Sequence, residues 1–117
     1  MADLQIFHNP RCSKSRQAME AIEGAGAEAE VVKYLDAPPD RATLESIIAK
    51  LEDDVGDLVP IGDAKKRGIG LPDVLDEESV IGVLLEYPDL MERPVLVKGD
   101  RAIIGRPTER VQPFLDS

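Results

Sequence analysis

Aromatic residues are scarce in this chain of 117 residues: two Phe, two Tyr and no Trp. A core of ordinary density must then be filled by Leu, Ile, Val and Ala. Cysteine and histidine occur once each, as Cys12 and His8. One thiol excludes an intramolecular disulfide. One Cys with one His also falls short of the ligand sets that most zinc sites use, so no metal site is expected. The longest apolar run, near Val80 to Leu85, is far too short to span a membrane. The start Met1-Ala2-Asp3-Leu4-Gln5 lacks the basic residues and apolar stretch of an export signal. Both observations lead to an expected cytoplasmic, reducing setting with no membrane partner. Positive charge is in deficit, with 14 Lys and Arg against 23 Asp and Glu and a formal net charge of -9. Direct binding of nucleic acid, which needs a basic face, is not expected.

Hydrophobic residues make up 43% of the chain and charged residues 32%, the balance of a soluble globular protein. The length fits one domain over residues 1–117. Leu4-Gln5-Ile6-Phe7 reads as a strand ended by Asn9-Pro10. From Ser13 onward Ala18, Met19, Ile22 and Ala25 recur at helical spacing, with Gly24 and Gly26 as the stop. Residues 30–34 read as a second strand, and the helical crossover makes the two strands parallel. Pro38-Pro39 then breaks the chain, and Asp40 is a good N-cap for a helix carrying Leu44, Ile47, Ile48 and Leu51 on one face.

Residues 53–75 are less regular. Val55, Leu58, Val59 and Ile61 fit one short helix stopped near Pro60, and Lys65-Lys66-Arg67 reads as solvated surface. Asp76-Glu77-Glu78-Ser79 begins a further helix whose apolar face is Val80, Ile81, Leu84 and Leu85. Val95–Lys98 and Arg101–Ile104 flank a turn at Gly99-Asp100, the pattern of a hairpin. Pro107 suits the first position of a last helix, which Pro113 should make short or bent. The order of elements gives an α/β fold of the thioredoxin kind. Its mixed sheet has about four strands, and residues 41–87 form a helical insertion.

The chemistry concentrates in Phe7-His8-Asn9-Pro10-Arg11-Cys12-Ser13-Lys14-Ser15-Arg16, which holds the one Cys, the one His and three cations. A thiol at a helix start lies near unsatisfied N–H groups and the positive end of the helix dipole, which favour the nucleophilic thiolate. Cys12 with Ser15 makes a Cys-x-x-Ser arrangement. Ser15 cannot resolve a covalent adduct as a second thiol would, so the resolving thiol must come from outside. The Ser15 hydroxyl either bonds to backbone or helps hold the thiolate. His8 either orients the loop as a neutral ring or, protonated, lowers the pKa of Cys12. Arg93 and Arg106 each precede a Pro and flank the hairpin, so both can reach the same end of the sheet. Their planar donors suit a tetrahedral oxyanion presented to sulfur.

The segments from Ile6 to Arg16 and from Tyr34 to Pro39, together with Glu92-Arg93-Pro94 and Gly105-Arg106-Pro107, resemble the glutaredoxin-coupled arsenate reductases of bacteria, an ArsC-like, thioredoxin-like family. The resemblance covers nearly the whole chain in the same order. It implies that Pro94 is a cis proline near the active site. It implies that Cys12 attacks arsenate, that His8 helps keep Cys12 ionised, and that Arg93 and Arg106 hold oxyanion intermediates. Asn9, Arg11 and Ser15 would contribute to substrate binding. Glutathione as co-substrate and glutaredoxin would release arsenite, with no bound cofactor. One departure stands out: the family's reductases carry a further Arg in a segment similar to residues 57–62, where this chain has Pro60. Loss of that cation would weaken intermediate binding by roughly a few kcal/mol, and Arg67 is the nearby candidate to replace it. Two alternatives are a glutaredoxin-like thiol transferase and a redox-responsive transcription regulator that binds RNA polymerase. Ser15, in place of that group's second Cys, counts against the regulator.

Overall fold

The computed structural model describes residues 4–117. Residues 1–3, part of the start read above for an export signal, lie outside them. Four strands form one sheet in the order β2-β1-β3-β4, with β1 at Leu4–Phe7, β2 at Glu30–Val32, β3 at Val95–Lys98 and β4 at Arg101–Ile104. β1 runs parallel to β2 and antiparallel to β3, and β3 and β4 are the expected hairpin. Its turn is at Gly99, whose φ of 61° lies in the left-handed region that glycine enters without steric cost.

Strand periodicity divides the core into two layers. Leu4, Ile6, Leu96 and Ile103 face one side, under helix α1 (Ser13–Gly24) and the terminal helix α5 (Val111–Asp116). Phe7, Val95, Val97, Ala102 and Ile104 face the other, under helices α2 (Arg41–Lys50), α3 (Ile61–Lys66) and α4 (Glu77–Glu86). Helices therefore cover both faces, and the aliphatic residues fill the core as the shortage of aromatics required. Asp40 and Asp76 cap α2 and α4, their carboxylates accepting the N–H of Thr43 at 2.8 Å and of Ser79 at 2.9 Å.

Local differences from the sequence pattern have physical reasons. The second strand ends at Val32, because the chain turns at residues 34–36; Tyr34 is nonetheless buried, and its hydroxyl lies 3.4 Å from the Met91 carbonyl. The segment around Pro60 is two pieces rather than one helix: a 3-10 turn at Val55–Leu58, then α3, which begins immediately after Pro60. Proline cannot continue the first piece but suits the entry to the second. On α4 the buried face is Val80, Ile81, Val83 and Leu84, while Leu85 lies off it and is exposed. Ala25 has left α1 and is exposed; the left-handed residue after the helix is Gly26. Pro107 precedes a 3-10 turn at Thr108–Arg110 rather than opening α5. α5 is short, as expected, and Pro113 is accommodated in its first turn, where a missing N–H breaks no intrahelical bond.

Pairing register sets the position of the site. Phe7 at the end of β1 pairs with Val95 at the start of β3, which pairs with Ile104 at the end of β4. Phe7 also pairs with Val32 at the end of β2. The loop after β1, the Arg93-Pro94 corner and the Arg106-Pro107 corner thus lie at one end of the sheet. Both X-Pro bonds there are cis.

Candidate active site

Asn9 shapes the loop that carries the thiol. Its carbonyl accepts the Cys12 N–H at 3.0 Å, and its Oδ1 accepts the Arg11 N–H at 2.9 Å. Cys12 is therefore delivered in extended conformation as the N-cap of α1, with its own carbonyl accepting the Arg16 N–H at 3.0 Å. The thiol is half-buried. Burial pushes its pKa up, but the N–H of Ser15, the Arg93 guanidinium and the N–H of Lys14 together outweigh burial and hold it below the ordinary thiol value. The first turn of a helix and one arginine thus stabilise the anion.

His8 does not meet the thiol directly in this arrangement. Its N–H donates to the Val32 carbonyl at 2.9 Å, and its Nδ1 lies 2.7 Å from the Ser15 hydroxyl oxygen. That oxygen also accepts the Asn9 N–H at 3.0 Å. Burial, reinforced by Lys33 and Arg16, lowers the pKa of His8, so the ring is neutral near pH 7. With the hydroxyl oxygen accepting from Asn9, the natural arrangement is Ser15 O–H donating to Nδ1, with the ring proton on Nε2. Of the two roles open to His8, the neutral orienting one matches this geometry. The Ser15 hydroxyl pins the loop to the helix, and the Ser15 backbone N–H acts on the thiol.

The two arginines before proline differ. Arg93 reaches Cys12 and is one of the groups that favour its anion. Its side chain is 21% exposed, its Nε is buried without a hydrogen-bond partner, and its nearest carboxylate contact is Asp63 at 3.6 Å. Arg106 is instead bound tightly to Glu92, at 2.7 Å. The same Glu92 oxygen accepts the Arg93 N–H at 3.2 Å, and the Gly105 N–H donates to the Pro94 carbonyl at 2.8 Å. Glu92 and Gly105 therefore stitch the two corners together. Arg11 is exposed and is not among the groups acting on Cys12. Arg16 turns back to the Pro10 carbonyl at 3.0 Å.

Pro60 is the N-cap of α3 and brings no charge. Arg67, at the other end of α3, pairs with Asp89 at 3.1 Å and lies over the Tyr87 ring. It shares with Arg93 a cavity of about 290 Å³, also lined by Asp63, Lys66, Asp89 and Leu90. Arg67 therefore stands on the Arg93 side of the site but does not act on the thiol. Tyr34, whose pKa burial pushes up to about 12, remains a neutral phenol against this cluster. Neither Glu92 nor Asp63 is among the site residues expected from the sequence. Glu92 could have been noticed beside Arg93-Pro94, whereas the Asp63 contact has no local signal.

A mixed sheet covered by helices, with a lone half-buried thiol at the start of α1 and a cis proline opposite, defines a thioredoxin-like protein of the single-cysteine kind. The model of the ArsC family matches residues 7–114, and the chain belongs to that family. It is 39% identical over 117 residues to an arsenate reductase of Neisseria meningitidis (serogroup A), covering 98% of this chain and 100% of that one. It is 40% identical over 110 residues to the uncharacterized protein YfgD of Escherichia coli (strain K12), covering 92% of each. The solved arsenate reductase from Vibrio cholerae superposes with a TM-score of 0.78 at 30% identity, over 94% of this chain and 95% of that one.

Proposed function

We propose that this protein is an oxidoreductase that reduces arsenate, with Cys12 as nucleophile and external thiols as the source of electrons. The observation that carries the reading is the Cys12 thiol at the N-cap of α1, its pKa held below the ordinary thiol value, against burial, by the helix N–H groups and Arg93. Its relatives named arsenate reductase supply the substrate class.

In this reading the Cys12 thiolate attacks arsenic, forming an S–As bond while one arsenate oxygen takes up protons and leaves as water. Negative charge on the remaining oxygens is met by Arg93 and by the N–H groups at the start of α1. With one Cys in the chain, the electrons must come from outside. Glutathione, then glutaredoxin, supplies one thiol each. The balance is arsenate plus two thiols to arsenite, one disulfide and water, with arsenic gaining the two electrons that the thiols lose and Cys12 regenerated as the thiol. His8 and Ser15 keep the loop in place, and Asn9 forms the turn that presents Cys12. Arg106 holds the proline corner through Glu92 and adds positive potential from there. A second reading, exchange with glutathione mixed disulfides, draws on one observation: Arg106 is already paired with Glu92 and so offers less to an oxyanion.

The test is arsenate-dependent NADPH consumption with glutathione, glutaredoxin and glutathione reductase, comparing the native protein with Cys12→Ser. Turnover that disappears in the variant supports the reading. No arsenate-dependent turnover, with mixed-disulfide reduction retained, would replace it by thiol exchange.

A further inference from the structure

Arg93 is the cation nearest the chemistry, and its surroundings are unusual for a guanidinium. Its Nε is buried with no acceptor, and its one ion-pair partner among the described residues is Asp63, at a loose 3.6 Å. Arg106, by contrast, is locked to Glu92 at 2.7 Å. Asp63 sits in the first turn of α3, half-buried, on the wall of the cavity that it shares with Arg93, Lys66, Arg67, Asp89 and Leu90. Of the other cations on that wall, Lys66 and Arg67, the latter already has Asp89 at 3.1 Å.

We propose that Asp63 is a positioning residue: it is the resting counter-ion of Arg93, and an incoming oxyanion must take Arg93 from it. The inference rests on the proposed attack of Cys12 on an oxyanion. Asp63 acts through Arg93 in two ways. Its negative charge offsets part of the field that Arg93 exerts on Cys12. Its contact also holds one guanidinium nitrogen at the α3 wall. A 3.6 Å pair that is partly exposed is weak enough to yield to a substrate. Asp63 thus sets how strongly the site binds oxyanions and how fully Cys12 is ionised at rest. The charged and titratable groups that face Arg93 are Cys12, Tyr34, Glu92, Asp63 and, across the shared cavity, Lys66, Arg67 and Asp89; of these, Asp63 is the acid in ion-pair contact with Arg93, and it can be changed without altering the thiol, the loop or the stitched proline corners.

The experiment measures the pH dependence of Cys12 alkylation by iodoacetamide, and protection of Cys12 by arsenate at fixed pH. It compares the native protein, Asp63→Asn, Asp63→Glu and Glu23→Gln. Glu23 is an exposed acid near the far end of α1, so its variant controls for net charge. Asp63→Asn should lower the alkylation midpoint by about 0.2–0.7 of a pH unit and strengthen arsenate protection about twofold to fivefold. Asp63→Glu should restore native behaviour, and Glu23→Gln should leave it unchanged. An unchanged midpoint in a folded Asp63→Asn protein, or an equal shift in Glu23→Gln, overturns the proposal. A shifted midpoint without arsenate protection in any variant would uphold the role of Asp63 and contradict the oxyanion reading of the site.

Discussion

The Ser15 hydroxyl oxygen lies 2.7 Å from His8 Nδ1 while accepting the Asn9 N–H at 3.0 Å. One buried oxygen therefore ties the end of β1, the turn and the first turn of α1 into a single unit. The only histidine of the chain reaches the only thiol through this unit.

Ser15→Ala tests that tie. The variant leaves a buried partner, His8 Nδ1, and a part-buried one, the Asn9 N–H, without their hydrogen bonds. The expected loss of stability is about 1–3 kcal/mol, read from denaturant unfolding of variant and native protein. Cys12 alkylation near neutral pH should also slow, because the loop no longer holds the thiol over the helix start. Unchanged stability would mean that water replaces the hydroxyl at no cost.

His8 gives a pH prediction with a defined sign. Burial, Lys33 and Arg16 place its folded pKa below 6.5. Between that folded pKa and about 6.5, the unfolded chain holds a proton that the folded chain does not. Stability therefore rises with pH across this interval, and it falls as pH drops below about 6.5 until the folded pKa is passed. Because the chain has one His, its ring-proton resonance titrates without overlap from another histidine. A midpoint below 6.5 is expected, and a midpoint above it would mean that His8 is a charged partner of the thiolate.

Much of this was legible in the sequence, for local reasons. Short apolar strand runs, the Asp caps of α2 and α4, the glycine turn at Gly99 and the Asn9-Pro10 break are signals spanning a few residues, and these elements lie where their signals put them, apart from β2, which ends at Val32. Placing Arg93 and Arg106 at one sheet end also followed, from their positions on either side of the hairpin. The stretch from Val55 to Lys66 was not legible, because its two short pieces are held by packing under α4 rather than by their own periodicity. The pairs Asp63–Arg93 and Glu92–Arg106 join different elements, and a pairing of that kind leaves no pattern in a single sequence, although Glu92 itself stands beside Arg93-Pro94 in the chain.

Arg93→Ala separates the site from the scaffold. Loss of the guanidinium should raise the Cys12 pKa and lower kcat/KM for the proposed arsenate reduction about a hundredfold or more. Thermal stability should change little, since beyond its contact with Cys12 the guanidinium forms only the loose ion pair with Asp63. A collapse in melting temperature would show that Arg93 is structural.

Gly105→Ala probes the stitched proline corners. A Cβ at this position would lie 2.7 Å from Leu96 Cδ1 and 3.1 Å from Pro94 Cγ. Leu96 is fully buried, so its side chain has little room to yield. Overpacking of this kind costs about 1–3 kcal/mol, and displacement of Pro94 should lower turnover more than stability alone explains. Full activity in a folded variant would show that the Pro94 corner tolerates movement.

The central claim is that this fold makes Cys12 a thiolate at pH values where an ordinary thiol is protonated. The thiolate ultraviolet absorbance as a function of pH, recorded as native protein minus Cys12→Ser, measures this for the one thiol in the chain. A midpoint below the ordinary thiol value of 9.0, moving upward in Arg93→Ala, is expected. A midpoint at or above 9.0 would mean that burial prevails over the helix N–H groups and Arg93, and would contradict the account.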